Sequence, residues 1–220
     1  MTGAIRVMVV DDQPMVRAGI RNLLELAGGE FLVDLEASTG DEAVGVLRTE
    51  RPDVVLMDIR MPALDGISAL RKIRTMPAVQ HIPVIMLTTF DSDELLFESL
   101  EAGAAGFVLK DIEPTDLYAA VRAAHRGDSM LDPSTTRRVI TRALGGGRAN
   151  PDARERAGSL TDRERDVLIA VARGLTNDEI AAELYLSPAT VRTYVSRLMA
   201  RLGCRDRVAL TILAYQARLV

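Results

Sequence analysis

Polar side chains of a restricted kind stand directly after hydrophobic runs in the first part of the chain. Asp11 and Asp12 follow the first run, and Asp58 follows the third. Thr88 and Lys110 follow the fourth and fifth runs. Three neighbouring carboxylates repel one another unless a cation lies among them, and oxygen ligands completed by water favour Mg²⁺. A carboxylate can also attack a phosphoryl donor, and a metal ion, a hydroxyl and an ammonium group would stabilise the aspartyl-phosphate that forms.

The runs that precede these residues have the length and composition of strands buried on both faces. Amphipathic helical segments separate them, so the pattern predicts five βα units and a doubly wound parallel sheet. The carboxyl ends of parallel strands meet at one edge of such a sheet, which would bring the polar residues together. The predicted strands are Ile5–Val10, Phe31–Ala37, Val54–Met57, Val84–Leu87 and Gly106–Leu109, and the predicted helices are Pro14–Ala27, Asp41–Arg51, Ala63–Thr75, Asp91–Ala102 and Pro114–Arg126.

The alternation stops after residue 127. Three consecutive glycines at 145–147 and the polar string after them predict a linker over 128–158, in which residues 133–144 could form a short basic helix. From residue 159 to residue 220 the pattern is helical and predicts a small all-α domain of four helices. The capping boxes Thr161–Glu164 and Thr176–Glu179, and Ser187 before a proline, mark three helix starts. The predicted helices are 162–173, 177–184, 188–202 and 206–217.

Charge is distributed unevenly along the 220 residues, whose net charge is −4. Residues 1–131 hold 12 Lys and Arg against 21 Asp and Glu, whereas residues 152–220 hold 11 against 9. A regulatory domain joined to a nucleic-acid-binding domain would show this asymmetry, and a solvated charged helix face would explain the basic part equally well.

Cysteine and histidine are scarce, with one Cys and two His in the chain. This composition excludes a disulfide framework and a Cys-rich zinc site, and it leaves little material for Ser-His-Asp catalysis. The sequence shows neither a run of about 18 to 20 apolar residues nor a signal peptide, so we expect a soluble cytoplasmic protein with no membrane association.

The helices at 177–184 and 188–202 have helix-turn-helix spacing, with a three-residue turn between them. One face of the pair is apolar at steps of three and four residues, through Ile180, Ala181, Leu184, Val191, Val195 and Leu198. The opposite face of the second helix carries Arg192, Thr193, Ser196 and Arg197, which base edges and phosphates could contact. A solvated polar face is the alternative interpretation of these four residues.

Residues 5–127 resemble the receiver domain of two-component response regulators. The matching strings are residues 10–12 (VDD), 57–62 (MDIRMP), 65–66 (DG), 87–88 (LT) and 103–110 (GAAGFVLK). The resemblance implies a flavodoxin-like fold with Asp58 as the phosphoacceptor. It also implies that Asp12, Asp58 and the backbone carbonyl of Arg60 bind Mg²⁺, with Asp11 helping through water. Thr88 and Lys110 would contact the phosphoryl group, and Phe107 would be an aromatic switch. Lys110 is one of only two lysines in the chain, which agrees with a role for a compact ammonium group.

The helical tail resembles the LuxR-type helix-turn-helix, and the whole chain resembles the NarL/FixJ class of transcriptional regulators. The resemblance implies a recognition helix at 188–202, a sensor histidine kinase and double-stranded DNA as partners, and a homodimer when phosphorylated. The chain departs from the LuxR-type pattern at Arg192 and Tyr194, where Lys and His are usual, and at Arg197, where a polar amide is common. Arg192 keeps the charge and adds a bidentate donor that suits guanine.

Two other functions are consistent with parts of the pattern. A phosphatase of the aspartyl-phosphate type would use the same nucleophile, but it would need a general acid two residues after Asp58, where Arg60 stands, and a cap domain that the sequence lacks. A DNA-binding regulator whose receiver acts without phosphorylation is the other alternative. We expect a regulator rather than an enzyme. The methionines Met15, Met57, Met61 and Met86 we interpret as packing residues.

Overall fold

The computed structural model describes residues 3–89, 92–127, 151–204 and 206–220. The chain divides into two compact units, Met1–Met130 and Leu131–Val220. The short helix predicted near 133–144 and the glycines at 145–147 lie outside the described residues, as do Phe90 and Asp91.

The first unit contains the five-stranded parallel sheet that the sequence predicts. Its strand order is β2-β1-β3-β4-β5, so the chain crosses first to one side of β1 and then continues to the other side. Every neighbouring pair is parallel, which places the carboxyl ends of all five strands at the same edge. The strands are β1 (Ile5–Val10), β2 (Phe31–Ala37), β3 (Val54–Asp58), β4 (Val84–Thr88) and β5 (Gly106–Leu109).

Helices cover both faces of the sheet, because right-handed crossovers in the two directions place their helices on opposite sides. One face packs against α1 and α5 through a core that includes Val9, Leu56, Leu24 and Val121. The other face meets α3, whose first residue Gly66 lies close to the side chain of Met86. The helices of this unit are α1 (Pro14–Glu25), α2 (Gly40–Val46), α3 (Gly66–Arg74), α4 (Asp93–Ala102) and α5 (Pro114–His125).

The helix bounds differ from the sequence prediction most clearly at α2 and α3. Helix α2 ends at Val46, five residues before the predicted end. Helix α3 begins at Gly66 rather than at Ala63, because Ala63 has a φ of 65° and Asp65 is the N-cap. The carboxylate of Asp65 accepts a 2.8 Å hydrogen bond from the amide of Ser68, which satisfies one of the free donors at the helix start.

Gly66 brings the start of α3 against the end of β3. A Cβ atom at this position would lie 2.0 Å from the backbone carbonyl oxygen of Asp58. The amide of Gly66 donates a 2.9 Å hydrogen bond to the carbonyl oxygen of Ile59, so the contact also closes the loop after β3. The absence of a side chain at Gly66 therefore allows the close approach that holds Asp58 in place.

The second unit is built from helices around one apolar core. Its helices are α6 (Pro151–Gly158), α7 (Asp162–Ala172), α8 (Asn177–Leu184), α9 (Pro188–Leu202) and α10 (Arg207–Gln216). The capping boxes predicted at the starts of α7 and α8 are both formed, and the side chain of Ser187 accepts from the amide of Thr190 at the start of α9.

Helix α6 corrects the sequence prediction, which placed residues 151–158 in the linker and counted four helices in the tail. The side chains of Ala153 and Ala157, one helical turn apart, are buried in the core of the second unit. Arg156 donates a 2.7 Å hydrogen bond to the carbonyl oxygen of Leu202, which fastens α6 to the end of α9. Two small side chains in a polar segment are too weak a periodic signal to predict a helix, and tertiary packing supplies the stability.

Within the described ranges, no helix combines the length and the apolar composition that crossing a membrane requires.

We predict that Gly66→Ala destabilises the first unit by about 1 to 3 kcal/mol, because its Cβ would collide with the backbone at Asp58 and β3 or α3 would have to shift. Urea unfolding of the full chain measures the change. Gly45→Ala is the control, since Gly45 is an exposed residue within α2 with nothing within 4 Å of its Cβ position. It should stabilise the protein by about 0.5 to 1 kcal/mol. Equal stabilities for the two variants would contradict the prediction.

Candidate functional site

Three carboxylates converge at the carboxyl edge of the sheet. Asp11 and Asp12 follow β1, and Asp58 is the last residue of β3. Each of the three offers an oxygen that lies within 4.8 Å of the oxygens of the other two. Asp11 is fully buried and Asp58 is 4% exposed, while Asp12 is more open to solvent. The edge therefore concentrates negative charge, with two of the three acids removed from water and the third partly open to solvent.

Lys110 supplies the positive charge closest to this cluster. It follows β5, and its Nζ lies 2.6 Å from Oδ2 of Asp11 and 3.1 Å from Oδ2 of Asp58. The lysine side chain is 10% exposed. One buried ammonium group thus bridges two of the three acids and compensates part of their mutual repulsion.

Burial and the lysine act in opposite directions on Asp58. Removal from water raises the pKa of this carboxyl above its ordinary value, and the neighbouring Asp11 adds to the rise, while Lys110 and the backbone amide of Arg60 lower the pKa without reversing it. Burial lowers the pKa of Lys110, but its hydrogen bonds to Asp11 and Asp58 outweigh burial, so the lysine pKa is raised. Lys110 therefore stays an ammonium group at neutral and mildly alkaline pH.

The remaining residues that the sequence analysis assigned to this site lie on β4, on β5 and directly after β3. Thr88, the last residue of β4, is 1% exposed, and Phe107 on β5 is 6% exposed. Arg60 is exposed, and its backbone amide donates a hydrogen bond to the carboxylate of Asp58. Asp11, Asp12, Asp58, Thr88 and Lys110 thus lie at the carboxyl edge of the sheet, while Phe107 lies within β5, paired with Met86.

The donor set fits a hard divalent cation. Oδ1 of Asp12 is buried and has no hydrogen-bond partner among the described residues. A buried carboxylate oxygen without a partner is unfavourable unless a ligand satisfies it, and carboxylate oxygens are the ligands that Mg²⁺ takes from proteins.

The sequence analysis missed one residue that contacts the acidic edge, and its prediction that Met15 is a packing residue was wrong. Arg17 on α1 donates a 2.7 Å hydrogen bond to the backbone carbonyl oxygen of Asp11. A backbone acceptor leaves no trace in the sequence, so no pattern could have identified this contact. Met15, which we interpreted as a packing residue, is instead 88% exposed, whereas Met57, Met61 and Met86 are buried as expected.

In the second unit, α8 and α9 form the helix pair that the sequence predicts. Five of the six predicted inner-face residues are buried in the core, and Leu184 packs against it partly exposed. Tyr194 also packs against this core. The predicted outer-face residues of α9, namely Arg192, Thr193, Ser196 and Arg197, are all exposed.

Arg192 and Arg197 differ from several arginines around them. In the part of the chain that the structure describes, neither side chain has an ion pair or a hydrogen bond. Arg201, in contrast, contacts the carboxylate of Glu164 at 2.8 Å and so ties α9 to the capping box of α7. Arg207 is buried and donates a 3.0 Å hydrogen bond to the side chain of Asn177. The outer face of α9 thus presents two cations that no described residue neutralises.

Each of the two units matches a known protein family. Residues 7–122 match the family model of the response regulator receiver domain, and residues 158–214 match that of the bacterial regulatory proteins of the LuxR family. The chain is 37% identical over 216 residues to the uncharacterized transcriptional regulatory protein YxjL of Bacillus subtilis, covering 98% of this chain and 97% of YxjL. It is 36% identical over 213 residues to the nitrate/nitrite response regulator protein NarP of Escherichia coli, covering 97% and 95% of the two chains.

A solved structure with the same organisation is the response regulator ChrA of a heme-sensing two-component system. It matches with a TM-score of 0.52 and 34% identity, and the match covers 100% of both chains. A parallel sheet with an acidic carboxyl edge, followed by a helix-turn-helix unit, agrees with both family matches. This chain belongs to the response regulators of two-component systems that carry a receiver domain and a LuxR-type DNA-binding domain.

We predict that Lys110→Met raises the pKa of Asp58 above its wild-type value. The substitution keeps the carboxyl buried and removes the hydrogen bond and the positive charge that lower the pKa. Titration of the aspartate carboxyl ¹³C signals by NMR in the absence of metal ions measures the pKa.

The matched control is Lys72→Met, which changes the only other lysine of the chain. Lys72 is exposed and contacts Asp41 at 3.1 Å, away from the acidic edge. The pKa of Asp58 in this variant should equal its value in the wild type. An Asp58 pKa that stays constant or falls in Lys110→Met would contradict the electrostatic account.

Proposed function

We propose that Asp58 accepts a phosphoryl group from a sensor histidine kinase and that the resulting aspartyl-phosphate switches DNA binding by the second unit. An oxygen of the carboxylate forms the new P–O bond as the P–N bond of the donor phosphohistidine breaks. The departing ring takes up a proton from solvent and leaves as neutral imidazole. The observation that carries this proposal is the buried Asp58 carboxylate with the Lys110 ammonium group 3.1 Å away.

The acids that adjoin Asp58 would hold Mg²⁺. Asp12, Asp58 and the backbone carbonyl of Arg60 would be ligands, with Asp11 contributing through water. When bound, the ion would neutralise charge on the transferring phosphoryl oxygens and orient them. Two observations support a metal site here: the convergence of the three carboxylates, and the buried oxygen of Asp12 to which no described residue donates a hydrogen bond.

Thr88 and Lys110 would stabilise the phosphorylated state. Each stands at a strand end beside Asp58, and both are nearly buried, so their interactions with a phosphoryl group would be weakly screened. Thr88 would move toward the phosphoryl group, and Phe107 would fill the vacated space. Phosphorylation would thereby shift a pre-existing equilibrium between two packings of β4 and β5 rather than create a new fold.

Helix α9 would be the DNA recognition helix. Arg192, Thr193 and Ser196 would reach base edges in the major groove, while Arg197 would contact base edges or phosphates. The exposure of Arg192 and Arg197, neither of which contacts an acid in the described part of the chain, supports this assignment. The active form would be a homodimer, because two helix-turn-helix units on half-sites about 34 to 36 Å apart bind far more tightly than one.

The domain assignment follows from the same roles. A receiver at 1–127 and a DNA-binding domain extending to residue 220 would be joined through the intervening segment, with α6 belonging to the DNA-binding side because it packs in that core. With DNA and a kinase as partners, the protein would act in the cytoplasm, and its role would be regulatory rather than enzymatic. The alternative is a receiver that acts without phosphorylation, and measuring phosphoryl uptake distinguishes the two.

We predict that the wild-type chain takes up one acid-labile phosphoryl group from a small phosphodonor in the presence of Mg²⁺ and that Asp58→Asn takes up none. The amide cannot act as the nucleophile, so the loss should be complete. Intact-mass measurement before and after acid treatment detects the modification.

Asp41→Asn is the control, because Asp41 is an exposed acid outside the cluster, and it should be modified like the wild type. Lys110→Met should retain the nucleophile but react more slowly, by about 10²- to 10³-fold, as expected when one charge-stabilising donor is lost. If the wild type takes up no phosphoryl group, the phosphorylation-independent alternative is favoured instead.

We predict that Arg192→Ala and Arg197→Ala each weaken binding of the phosphodonor-treated chain to a fluorescently labelled duplex of mixed sequence. An arginine that contacts a phosphate contributes about 0.9 to the slope of log affinity against log salt, so a slope lowered by that amount in Arg197→Ala identifies a phosphate contact, and Arg192→Ala should lower the affinity with a smaller change of slope. Fluorescence anisotropy at several salt concentrations gives both quantities.

Arg173→Ala provides the comparison within the same unit, because Arg173 contacts Glu183 at 2.6 Å and is already neutralised. Its affinity and salt slope should equal those of the wild type. Wild-type affinity in both α9 variants would show that the solvated-face interpretation is correct.

A further inference from the structure

Arg17, a residue of α1, contacts the backbone of the acidic edge rather than its carboxylates. Its Nη1 donates a 2.7 Å hydrogen bond to the carbonyl oxygen of Asp11, and its Nε donates a 3.1 Å hydrogen bond to the carboxylate of Glu36 on β2. The side chain of Arg17 is only 16% exposed. The guanidinium group is therefore held between two elements of the sheet, and its planar fork suits two acceptors at once.

The carbonyl oxygen that Arg17 contacts belongs to the peptide bond between Asp11 and Asp12. This bond is planar, so fixing its oxygen also fixes the amide of Asp12 and restricts the direction in which the Asp12 side chain leaves the backbone. Other groups of Asp11 are fixed independently. Its amide donates to the carbonyl of Ala37 at 3.1 Å, and its Oδ1 accepts from the amide of Gln13 at 2.9 Å. Arg17 completes the fixation of this turn.

Asp12 depends on this turn more than Asp58 does. Asp58 lies within β3, where it is paired with Leu87 of β4, and the next amide, that of Ile59, also donates to Leu87 at 3.0 Å. Asp12 lies beyond the end of β1, and its buried Oδ1 has no hydrogen bond among the described residues. Its carboxylate is therefore aimed by the backbone that carries it.

We propose that Arg17 is a positioning residue for the acidic edge, which acts through its hydrogen bond to the Asp11 carbonyl and directs the carboxylate of Asp12 toward the Mg²⁺ position. This inference rests on the proposed function, since it concerns the metal ion that the phosphoryl transfer would use. It assigns a role to a residue outside the set of acids, hydroxyl and lysine that perform the chemistry.

Arg21 offers a matched comparison on the same helix. It also pairs with the carboxylate of Glu36, and in the described structure its contacts do not include the Asp11 carbonyl. Arg17→Met and Arg21→Met each remove one guanidinium group from Glu36, but only the first removes the hydrogen bond to the backbone of the acidic edge. A difference between the two variants therefore isolates that hydrogen bond.

The experiment is an NMR titration of the full-length wild type and the two variants with MgCl₂, following backbone amide signals at the acidic edge. Arg17→Met should raise the Mg²⁺ dissociation constant by about 10- to 100-fold, the range seen when a group that orients a metal ligand is lost. Arg21→Met should bind Mg²⁺ with wild-type affinity. Arg17→Lys should lie between the wild type and Arg17→Met, because its compact ammonium group reaches one of the two acceptors.

The metal-free spectra provide a readout that a general loss of stability would not produce. In Arg17→Met the amide signals of Asp12 and Gln13 should shift while that of Ile59 keeps its wild-type position. In phosphodonor reactions the half-saturating Mg²⁺ concentration should rise, and the rate at saturating Mg²⁺ should change less.

Wild-type Mg²⁺ affinity in Arg17→Met, or an equal loss in Arg17→Met and Arg21→Met, would overturn the inference. If Arg17→Met does not fold, Arg17→Lys decides the matter, since wild-type affinity there would also overturn it and a reduced affinity would support it. Failure of the wild type to bind Mg²⁺ or to accept a phosphoryl group is a separate result, which would reject the proposed function itself.

Discussion

Repulsion among three carboxylates that the fold forces together is the constraint around which the first unit is built. Asp11 and Asp58 are almost completely removed from water, and burial raises the pKa of Asp58. The Lys110 ammonium group contacts both acids and partly offsets the repulsion, while Asp12 retains a buried oxygen without a partner. Among the described residues the edge is therefore incompletely neutralised. This residual negative charge suits a divalent cation, which is the basis of the phosphoryl transfer proposed above.

Other parts of the first unit hold these acids close despite their repulsion. Gly66 permits α3 to approach the end of β3 within a distance that any side chain would prevent. Arg17 connects α1, the turn after β1 and Glu36 on β2 through one guanidinium group. Both contacts involve backbone atoms at strand ends. The hydrogen bonds of the sheet stop there, so other contacts are needed to hold the backbone that carries the acids.

The second unit uses its arginines in two distinct ways. Arg156, Arg201 and Arg207 bind backbone carbonyls or polar side chains on other helices and so fasten the helices around the apolar core. Arg192 and Arg197 have no such contacts in the described residues and point their charge outward. A count of basic residues along the sequence does not distinguish the arginines that bind other helices from those that are exposed, whereas their hydrogen bonds and ion pairs do. The basic character of the tail is therefore partly structural, and α9 carries two of the exposed arginines that no described residue contacts.

The sequence alone determined the order and type of the main elements, the parallel sheet, the capping boxes and the identity of the acidic cluster. Strand composition, helical periodicity and cap residues are local signals, and parallel strands necessarily bring their carboxyl ends to one edge. Only the tertiary structure decided the remaining features: that α6 is a helix, that α3 begins at Gly66, that Met15 is exposed and that Arg17 contacts the Asp11 carbonyl. Each of these depends on atoms distant in the chain or on backbone groups common to every residue type, and neither kind of interaction leaves a pattern in the order of the side chains.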